Sequence, residues 1–366
     1  MTRAPHVLVL GTVLGQGPGG VRRHNQELLP RAAALLRAEG GSLAVLEGST
    51  PLAFDLPPEI ERLQADIPAR PVLRRAMVEG GLLREVLARR AADGQPFDLV
   101  HTAHQPAPRR LDVPLSLLIH DLRALELAHS PFSRRLFARG LIGRAATRAA
   151  VVSTVSEAMA ERVAAQLGLA LDEVRVVPNA ADHHEPLPRR LAPDAPLLCV
   201  GHLEARKRPE LLIRALASDT CLPAAVFAGA EKGGERARLE ALAAELGVAA
   251  RVRFLGAVDE DALQLLFATC AAVVCPSALE GFGIVPLEAQ RAHAPLAISA
   301  IPAHLEVAGD GAPSFGDDPA DCARAIHAAL AQPNAELEAA ARAAERYSWD
   351  DSAQSLVEAW RWALHP

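Results

Sequence analysis

The sequence predicts an α/β protein with two doubly wound parallel sheets. Its 366 residues suit two domains of about 100–200 residues each. Short apolar runs alternate with longer helical patterns in both halves of the chain, as in parallel-sheet proteins. A stretch rich in Pro, His, Asp and Arg interrupts this alternation at residues 181–196. We therefore predict a domain at 1–180, a linker at 181–196, a second domain at 197–347 and a C-terminal helix at 348–366.

In the first half, apolar β-type runs predict six strands: His6–Leu10, Ser42–Leu46, Phe97–His101, Leu115–His120, Ala150–Thr154 and Val174–Val177. Helical periodicity predicts four helices: Val21–Arg37, Leu73–Arg90, Phe132–Arg148 and Ser156–Gln166. Ser156 is a suitable N-cap because its hydroxyl can accept a hydrogen bond from a first-turn amide.

The second half repeats the pattern after the linker. Its predicted strands are Leu197–Gly201, Ala225–Gly229, Val252–Leu255, Ala272–Cys275 and Leu296–Ser299. Its predicted helices are Pro209–Leu216, Arg236–Leu246, Asp259–Ala268, one starting near Leu287–Arg291, and Ser348–Leu364. Because ligands of open parallel sheets bind at the carboxyl ends of the strands, two such domains predict a cleft between them.

Composition excludes several functional classes. A net charge of −6 argues against nucleic acid as a partner, and no apolar stretch approaches the ~18 residues of a membrane span. The five cysteines are widely spaced and contain no C-x-x-C pair, so we expect buried free thiols rather than disulfides or a cysteine zinc site. No His, Asp or Glu cluster has metal-ligand spacing. The sequence thus predicts a soluble, cytoplasmic protein without a metal site.

The first chemical motif is the glycine-rich stretch at residues 11–20, between the first strand and the first helix. Backbone amides at a helix N-terminus suit a diphosphate. Gly15-x-Gly17-x-x-Gly20 also fits the dinucleotide fingerprint, with Glu47 as a ribose-binding acid. An NAD-dependent oxidoreductase is therefore one hypothesis, and a tight strand-to-helix turn without a ligand is another.

The second motif is Glu280-Gly281-Phe282-Gly283-Ile284-Val285-Pro286-Leu287-Glu288, which follows a predicted buried strand and opens a helix. Its glycines let backbone amides approach a ligand closely, and its two carboxylates can accept hydrogen bonds from sugar or ribose hydroxyls. The alternative is that both acids are ordinary helix residues.

The third motif, Gly201–Pro209, contains three consecutive cations at the end of a predicted strand, where they can bind phosphate. A solvated basic turn is the alternative. Only two of the 38 basic residues are lysines, Lys207 and Lys232, and Lys207 lies in this loop between two arginines. The position of one of only two lysines in this loop favours a site that requires a compact ammonium.

With these motifs in hand, the chain resembles the family 4 glycosyltransferases, which are retaining, nucleotide-sugar-dependent enzymes of the GT-B fold. The Glu280-x7-Glu288 pattern carries the resemblance. Further matches occur in the family's order: the glycine-rich loop, Ile119-His120-Asp121, Val152–Glu157, Val177-Pro178-Asn179, Gly201-x-Leu203 with Arg206-Lys207, and Tyr347-Ser348-Trp349. The resemblance implies two Rossmann-like domains facing across a cleft, with the C-terminal helix crossing back to the N-terminal domain.

The resemblance also implies roles in the second domain. Arg206 and Lys207 would neutralise the donor diphosphate, Glu288 would hold the nucleotide ribose, and Glu280 would lie near the hydroxyls of the transferred sugar. Phe282, Gly283 and Ile284 would contact sugar or phosphate through their backbone amides. The implied donor is a nucleotide sugar, transfer retains the anomeric configuration, and neither a cofactor nor a metal is required.

In the first domain, Gly19 and Gly20 match the loop that meets the diphosphate, and His120 matches the histidine beside the sugar and the acceptor. A structural role for His120 is the alternative. The implied acceptor is a glycan or a lipid-linked molecule. The arginine-rich helix Phe132–Arg148 suits either an anionic membrane surface at the inner face of the membrane or an ordinary protein surface.

Two positions bear on the donor. His202 stands where the family often has arginine, so a titratable group replaces one cation. Asp259 falls where relatives with guanine donors carry a base-binding acid, although a helix N-cap is the alternative. The sequence therefore leans toward GDP-mannose and leaves UDP-sugars open.

Overall fold

The computed structural model describes residues 4–15, 19–108, 111–126, 132–309 and 311–365, except for the side chains at 124, 126 and 132–137. The chain forms two compact units. The first contains Met1–Asn179 together with Ser348–Pro366, and the second contains Ala180–Tyr347. The predicted linker at 181–196 is therefore part of the second unit, and the C-terminal helix is part of the first.

A seven-stranded parallel sheet forms the centre of the first unit, in the order β3-β2-β1-β4-β5-β6-β7. Its strands are β1 (His6–Leu10), β2 (Ser42–Glu47), β3 (Glu61–Gln64), β4 (Leu99–Thr102), β5 (Leu115–Ile119), β6 (Val151–Thr154) and β7 (Val174–Val176). The strand order reverses between β1 and β4, and loops that follow these strands meet at that edge.

The described helices before the second unit are α1 (Gly20–Ala38), α2 (Val72–Ala92), α3 (Arg123–Glu126), α4 (Phe132–Ala146) and α5 (Glu157–Leu167). Ser156 caps α5, since its hydroxyl accepts the amide of Met159 at 3.0 Å. The C-terminal helix, Trp349–Leu364, packs mainly against α1 and buries Trp349 and Trp360 completely. The first unit is thus completed by a segment that follows the second unit in the chain.

The second unit contains a six-stranded parallel sheet in the order β10-β9-β8-β11-β12-β13. Its strands are β8 (Leu197–Val200), β9 (Ala225–Ala228), β10 (Val252–Gly256), β11 (Ala272–Cys275), β12 (Leu296–Ser299) and β13 (Ser314–Phe315). Here the order reverses between β8 and β11. Buried side chains such as Phe227 and Leu212 fill the core between the sheet and its helices.

The helices of the second unit are α6 (Pro209–Ser218), α7 (Glu235–Glu245), α8 (Glu260–Thr269), α9 (Ile284–Arg291), α10 (Pro302–Ala308), α11 (Pro319–Leu330) and α12 (Asn334–Ala344), and the C-terminal helix is α13 (Trp349–Leu364). Single 3-10 turns occur at Leu171–Glu173, Ala205–Lys207 and Ala249–Arg251. Within the described ranges, none of these helices is both long enough and apolar enough to cross a bilayer.

The predicted strands and helices are confirmed, with ends that agree within about two residues. The exception is α9, which begins at Ile284 because Gly283, in the left-handed region, starts the helix one turn before the predicted point. The sequence missed the exposed, polar strand β3, the two-residue strand β13, the short helix α3 and helices α10 to α12. All five cysteines are free, as expected, but Cys221 is exposed and so contradicts the expectation of burial.

Candidate active site

The candidate donor site lies in the second unit, where the strand order reverses between β8 and β11. Parallel neighbours β8, β11 and β12 end at the same edge of the sheet. The loops after them contain Gly201–Arg208, Pro276–Gly283 and Ala300–Ile301. Ligands of open α/β sheets bind in such a crevice, so the topology brings two of the predicted motifs together.

The loop after β8 holds the cations. Gly201 has a φ of 136°, and a Cβ placed there would lie 3.4 Å from Cε of Lys207. Arg206 and Lys207 lie in the 3-10 turn that follows. Arg208 is directed elsewhere, because its guanidinium donates to the Pro276 carbonyl at 2.8 Å and pairs with Asp317. The predicted three-cation loop therefore presents two cations to the site.

Glu280, in the loop after β11, is the centre of this arrangement. Its carboxylate accepts hydrogen bonds from Nη1 of Arg206 at 2.9 Å, from the ammonium of Lys207, and from the hydroxyl of Ser277 at 2.7 Å. Burial alone would raise the pKa of Glu280, but Lys207 and Arg206 outweigh that effect and lower it to about 2. Glu280 is therefore a carboxylate at every physiological pH, and it fixes both cations in position.

Two further residues complete the cationic cluster, and sequence reasoning missed them. Glu204 pairs with Nη2 of Arg206 at 2.7 Å and with Nζ of Lys232 at 3.6 Å. Both lysines of this arginine-rich chain thus lie around one loop. The scarcity of lysine, applied to Lys232 as well as to Lys207, was a signal that could have found it.

His304, on α10, lies next to the loop that contains Gly283, and sequence reasoning also missed it. It is buried, and its Nδ1 lies 3.1 Å from the hydroxyl of Ser299. Burial lowers its pKa to about 4, against the opposing effect of Glu280, so the imidazole is neutral at pH 7. Gly283 leaves room for it, because a Cβ at Gly283 would lie 3.4 Å from Cδ2 of His304.

The turn before α9 contains Phe282 and Gly283, whose backbone amides the resemblance assigns to contacts with sugar or phosphate. Gly283 has a φ of 117°, which a residue with a side chain adopts only with strain. Phe282 is buried and packs edge-on against Tyr347, with ring centroids 5.2 Å apart. Its side chain thus anchors the turn. No side chain caps α9 at Gly283, and Ile284 is the first residue of the helix.

The same unit contains three further residues that were predicted to bind the donor: Glu288, His202 and Asp259. The Glu288 carboxylate, on α9, lies 3.9 Å from Nε2 of His183. Burial and then Lys232 lower the pKa of His202, so it is not a permanent cation. Asp259 caps α8 by accepting the amide of Ala262 at 2.9 Å, as the structural alternative predicts.

In the first unit, the glycines of the first motif differ in what they do. A Cβ at Gly11 would lie 2.7 Å from the Val45 side chain, and one at Gly15 would lie 2.3 Å from the Pro51 carbonyl. These two glycines are required by close packing. At Gly19, by contrast, a Cβ would meet no atom within 4 Å, and Gly20 begins α1. Residues 16–18 of the motif, including Gly17, lie outside the described residues.

His120 follows β5 and packs edge-on against His24 of α1, with ring centroids 4.7 Å apart. Burial, followed by His101 and Arg123, lowers the pKa of His120 to about 3. Within the part of the chain that the structure describes, its Nε2 has no hydrogen-bond partner. A neutral imidazole with one ring nitrogen not yet engaged is therefore placed at the end of β5.

Glu47 is not available as the ribose-binding acid that the dinucleotide hypothesis requires. It is fully buried, it pairs with Arg62 of β3, and it accepts the amide of Leu52 at 3.1 Å. The Arg62 hydrogen bond outweighs burial and lowers the pKa of Glu47. The carboxylate is thus committed to structural contacts, which removes the proposed ribose acid.

Comparison with known families decides the assignment. The model described as "Glycosyl transferases group 1" matches residues 190–346, and "Glycosyltransferase Family 4" matches residues 18–185. The chain belongs to the family 4 glycosyltransferases. None of the matches supports the oxidoreductase hypothesis, and the GT-B fold implied by the resemblance is confirmed.

Relatives of this family 4 glycosyltransferase include two proteins named D-inositol 3-phosphate glycosyltransferase. The one from Geodermatophilus obscurus is 37% identical over 177 residues, covering 45% of this chain and 39% of that protein. The one from Nocardia farcinica is 29% identical over 307 residues, covering 73% and 67%. The chain thus spans less than half the length of the first of these relatives.

Solved structures share the fold of this family 4 glycosyltransferase at low identity. Sucrose-phosphate synthase from Thermosynechococcus elongatus has a TM-score of 0.77 at 18% identity, with 98% of each chain covered. Anabaena Alr3699/HepE, solved with UDP and glucose, has a TM-score of 0.70 at 22% identity, covering 98% of this chain and 99% of that chain.

Proposed function

We propose that this family 4 glycosyltransferase moves a hexose from a nucleoside diphosphate sugar to a glycan or lipid-linked acceptor. The observation that carries the proposal is the cationic pair Arg206 and Lys207, held by Glu280 where the strand order reverses. The two cations are already held in position, so they need no rearrangement to meet a diphosphate. A similar protein, from Anabaena, has been solved with UDP-glucose.

In the proposed reaction, the bond between C1 of the sugar and the diphosphate oxygen breaks, and C1 forms a bond to the acceptor oxygen. Lys207 and Arg206 neutralise the charge that develops on the leaving diphosphate, so the chemistry requires no divalent metal. The acceptor attacks from the face that the diphosphate leaves, and a phosphate oxygen takes the acceptor's proton. This path retains the configuration at C1, and no carboxylate of the chain has to form a covalent intermediate.

His120 is proposed to bind the transferred sugar or the acceptor from the first unit. Because its pKa is about 3, the imidazole is neutral and acts as a hydrogen-bonding group rather than as a cation. Glu288 is proposed to hold the ribose hydroxyls, and the amides at Gly19 and Gly20 are proposed to bind phosphate.

The donor base is the least determined part of the proposal. The lean toward guanosine rested on Asp259, and one oxygen of that carboxylate is engaged as the N-cap of α8. We therefore propose a uridine or guanosine diphosphate hexose, with GDP-mannose and UDP-glucose as the first compounds to test.

The acceptor class is proposed from the family alone, and the names of the relatives add inositol phosphate as a compound to test. Peripheral membrane contact through helix α4 also stays a proposal. Ile142, Ala145 and Ala146 face the core of the first unit, and the side chains at 132–137, including Arg134 and Arg135, lie outside the described residues. Co-sedimentation with anionic vesicles, compared between the wild type and an Arg144→Gln, Arg148→Gln variant, tests this contact.

A thermal-shift panel of UDP, GDP, ADP and their sugars, with nicotinamide dinucleotides as the negative set, tests the donor class. We expect one nucleotide family to raise the Tm of the wild type but not that of Lys207→Ala. Arg236→Ala is the matched control, because Arg236 contacts Glu240 and the Phe254 ring and not the residues of the candidate donor site. Transfer is then measured with and without EDTA, and the anomeric configuration of the product is determined by NMR. An inverted product, or transfer that EDTA abolishes and Mg²⁺ restores, would overturn the mechanism.

A further inference from the structure

Two histidines and a glutamate converge in the second unit, on the side of α9 where Glu288 lies. One ligand atom from each of His183, His184 and Glu260 lies within 4.8 Å of the other two. The histidines are adjacent in the turn that follows β7, and Glu260 is the first residue of α8. The sequence did not predict this cluster, because more than 70 residues separate the histidines from Glu260 in the chain.

The distances suit coordination better than hydrogen bonding. Nε2 of His183 lies 3.4 Å from Oε1 of Glu260, and Nε2 of His184 lies 3.3 Å from the same oxygen. N–H···O hydrogen bonds are usually about 2.7–3.2 Å long, so both separations exceed the preferred range. Two zinc–ligand bonds of about 2.05 Å at the tetrahedral angle place their donor atoms about 3.3–3.4 Å apart. The separations of 3.4 and 3.3 Å from Glu260 are compatible with that spacing.

The surroundings supply both rigidity and access. The His183 side chain is only 3% exposed, so its ring is held by packing, whereas His184 is 37% exposed. An ion can therefore enter from solvent on the side of His184. Oε1 of Glu288 lies 3.9 Å from Nε2 of His183, which places a second carboxylate at the edge of the cluster.

We propose that His183, His184 and Glu260 form a binding site for one late first-row divalent transition-metal ion, such as Zn²⁺. Two imidazoles and one carboxylate are a frequent zinc ligand set that leaves a fourth position for water or a further carboxylate. Mg²⁺ and Ca²⁺ prefer oxygen ligands, so two imidazoles select against them.

The ion has a structural consequence. It links the segment after β7 to the start of α8 and lies beside Glu288 on α9. If Glu288 holds the ribose, as in the proposed function, the ion also positions that carboxylate for the nucleotide.

The test uses tag-free, full-length protein that has been stripped with EDTA and dialysed. Zn²⁺ is titrated by isothermal calorimetry, and bound zinc is counted by mass spectrometry after gel filtration. We expect the wild type to retain about one zinc more per chain than His184→Ala or Glu260→Gln, with at least about tenfold weaker binding in the variants. His327→Ala is the matched control, since that exposed histidine pairs with Asp219 outside the cluster.

Folding is checked from the melting curve of each variant in EDTA, because a variant that fails to fold would also lose metal. His184 is partly exposed, so His184→Ala is expected to melt like the wild type in EDTA and to lose only the rise in Tm that Zn²⁺ produces. Equal zinc uptake by the wild type and both variants, or no uptake by the wild type, would overturn the proposal. Donor and acceptor are absent throughout, so the result is independent of whether transfer is detected.

Discussion

Replacing Glu280 by glutamine tests the electrostatic account of the donor site directly. Glutamine keeps the shape of the side chain and removes only its charge. In the wild type, that charge faces Arg206 and Lys207 with 13% of the side chain exposed, so solvent screens the interaction weakly. The substitution leaves two cations without their shared carboxylate. It should therefore weaken the second unit by an amount that depends on pH.

The magnitude follows from the pKa of Glu280, which falls from its ordinary value of 4.5 to about 2. At about 1.4 kcal/mol per pH unit, this difference contributes about 3 kcal/mol to the free energy of unfolding at pH 7. Because the folded pKa is the lower one, the contribution is fully present above pH 4.5 and is lost as the pH falls through about 2. At pH 3.5 about 2 kcal/mol should remain.

The assay is urea denaturation followed by far-UV circular dichroism at both pH values. We expect Glu280→Gln to cost about 3 kcal/mol at pH 7 and about 2 kcal/mol at pH 3.5. Glu240→Gln serves as the control, since Glu240 forms an exposed pair with Arg236 and should cost less than about 0.5 kcal/mol. A cost at pH 7 no larger than that of the control, or one that does not decrease at pH 3.5, would refute the reasoning.

Substitutions at Lys207, at the two loop glycines Gly15 and Gly19, and at Trp360 test other parts of the structure. Lys207→Ala should abolish transfer and leave the fold intact. Lys207→Arg should reduce kcat/KM about tenfold, because a planar guanidinium cannot replace a compact ammonium. A fully active Lys207→Arg enzyme would contradict the argument from lysine scarcity. Gly15→Ser should lower stability by about 1–3 kcal/mol through overpacking against the Pro51 carbonyl. Gly19→Ser should keep or slightly raise stability, since serine is a favoured N-cap. Its added side chain should weaken nucleotide binding, which calorimetry measures. A stable Gly15→Ser variant together with a destabilised Gly19→Ser variant would show that the roles of the two glycines are reversed. Trp360→Phe should cost about 1 kcal/mol in urea denaturation, because the indole donates to Nδ1 of His101 at 3.1 Å, and an unchanged midpoint would be inconsistent with that hydrogen bond.

The fold was largely predictable because its central strands are apolar runs that alternate with helices. The elements that were missed lack that contrast. Strand β3 is polar and mostly exposed at the sheet edge, so its four residues look like a loop. Helices α11 and α12 are the exception, because they are alanine-rich and amphipathic, so their helical pattern was present in the sequence and was missed.

The candidate site was predictable only in part. Lys207 and Glu280 belong to loops after neighbouring strands, so a motif search and sheet topology together bring them into contact. The sequence could not show that Arg208 turns to the Pro276 carbonyl, because a left-handed φ of 46° directs it away. Nor could it show that His183, in a segment that looked like a linker, would pack beside Glu260, since that contact depends on how the chain returns after β7.

The discontinuous first unit has a consequence for how the protein is made. During synthesis, the sheet β1 to β7 leaves the ribosome long before α13, which supplies the buried Trp349 and Trp360. The second unit is continuous in sequence and can acquire its core first, although it is translated second. Until α13 arrives, the apolar face of α1 that receives it stays open to other chains. If the polypeptide is released before residue 348, the first unit should therefore lose more solubility than the second unit, although the second unit is the one next to the missing helix in the sequence.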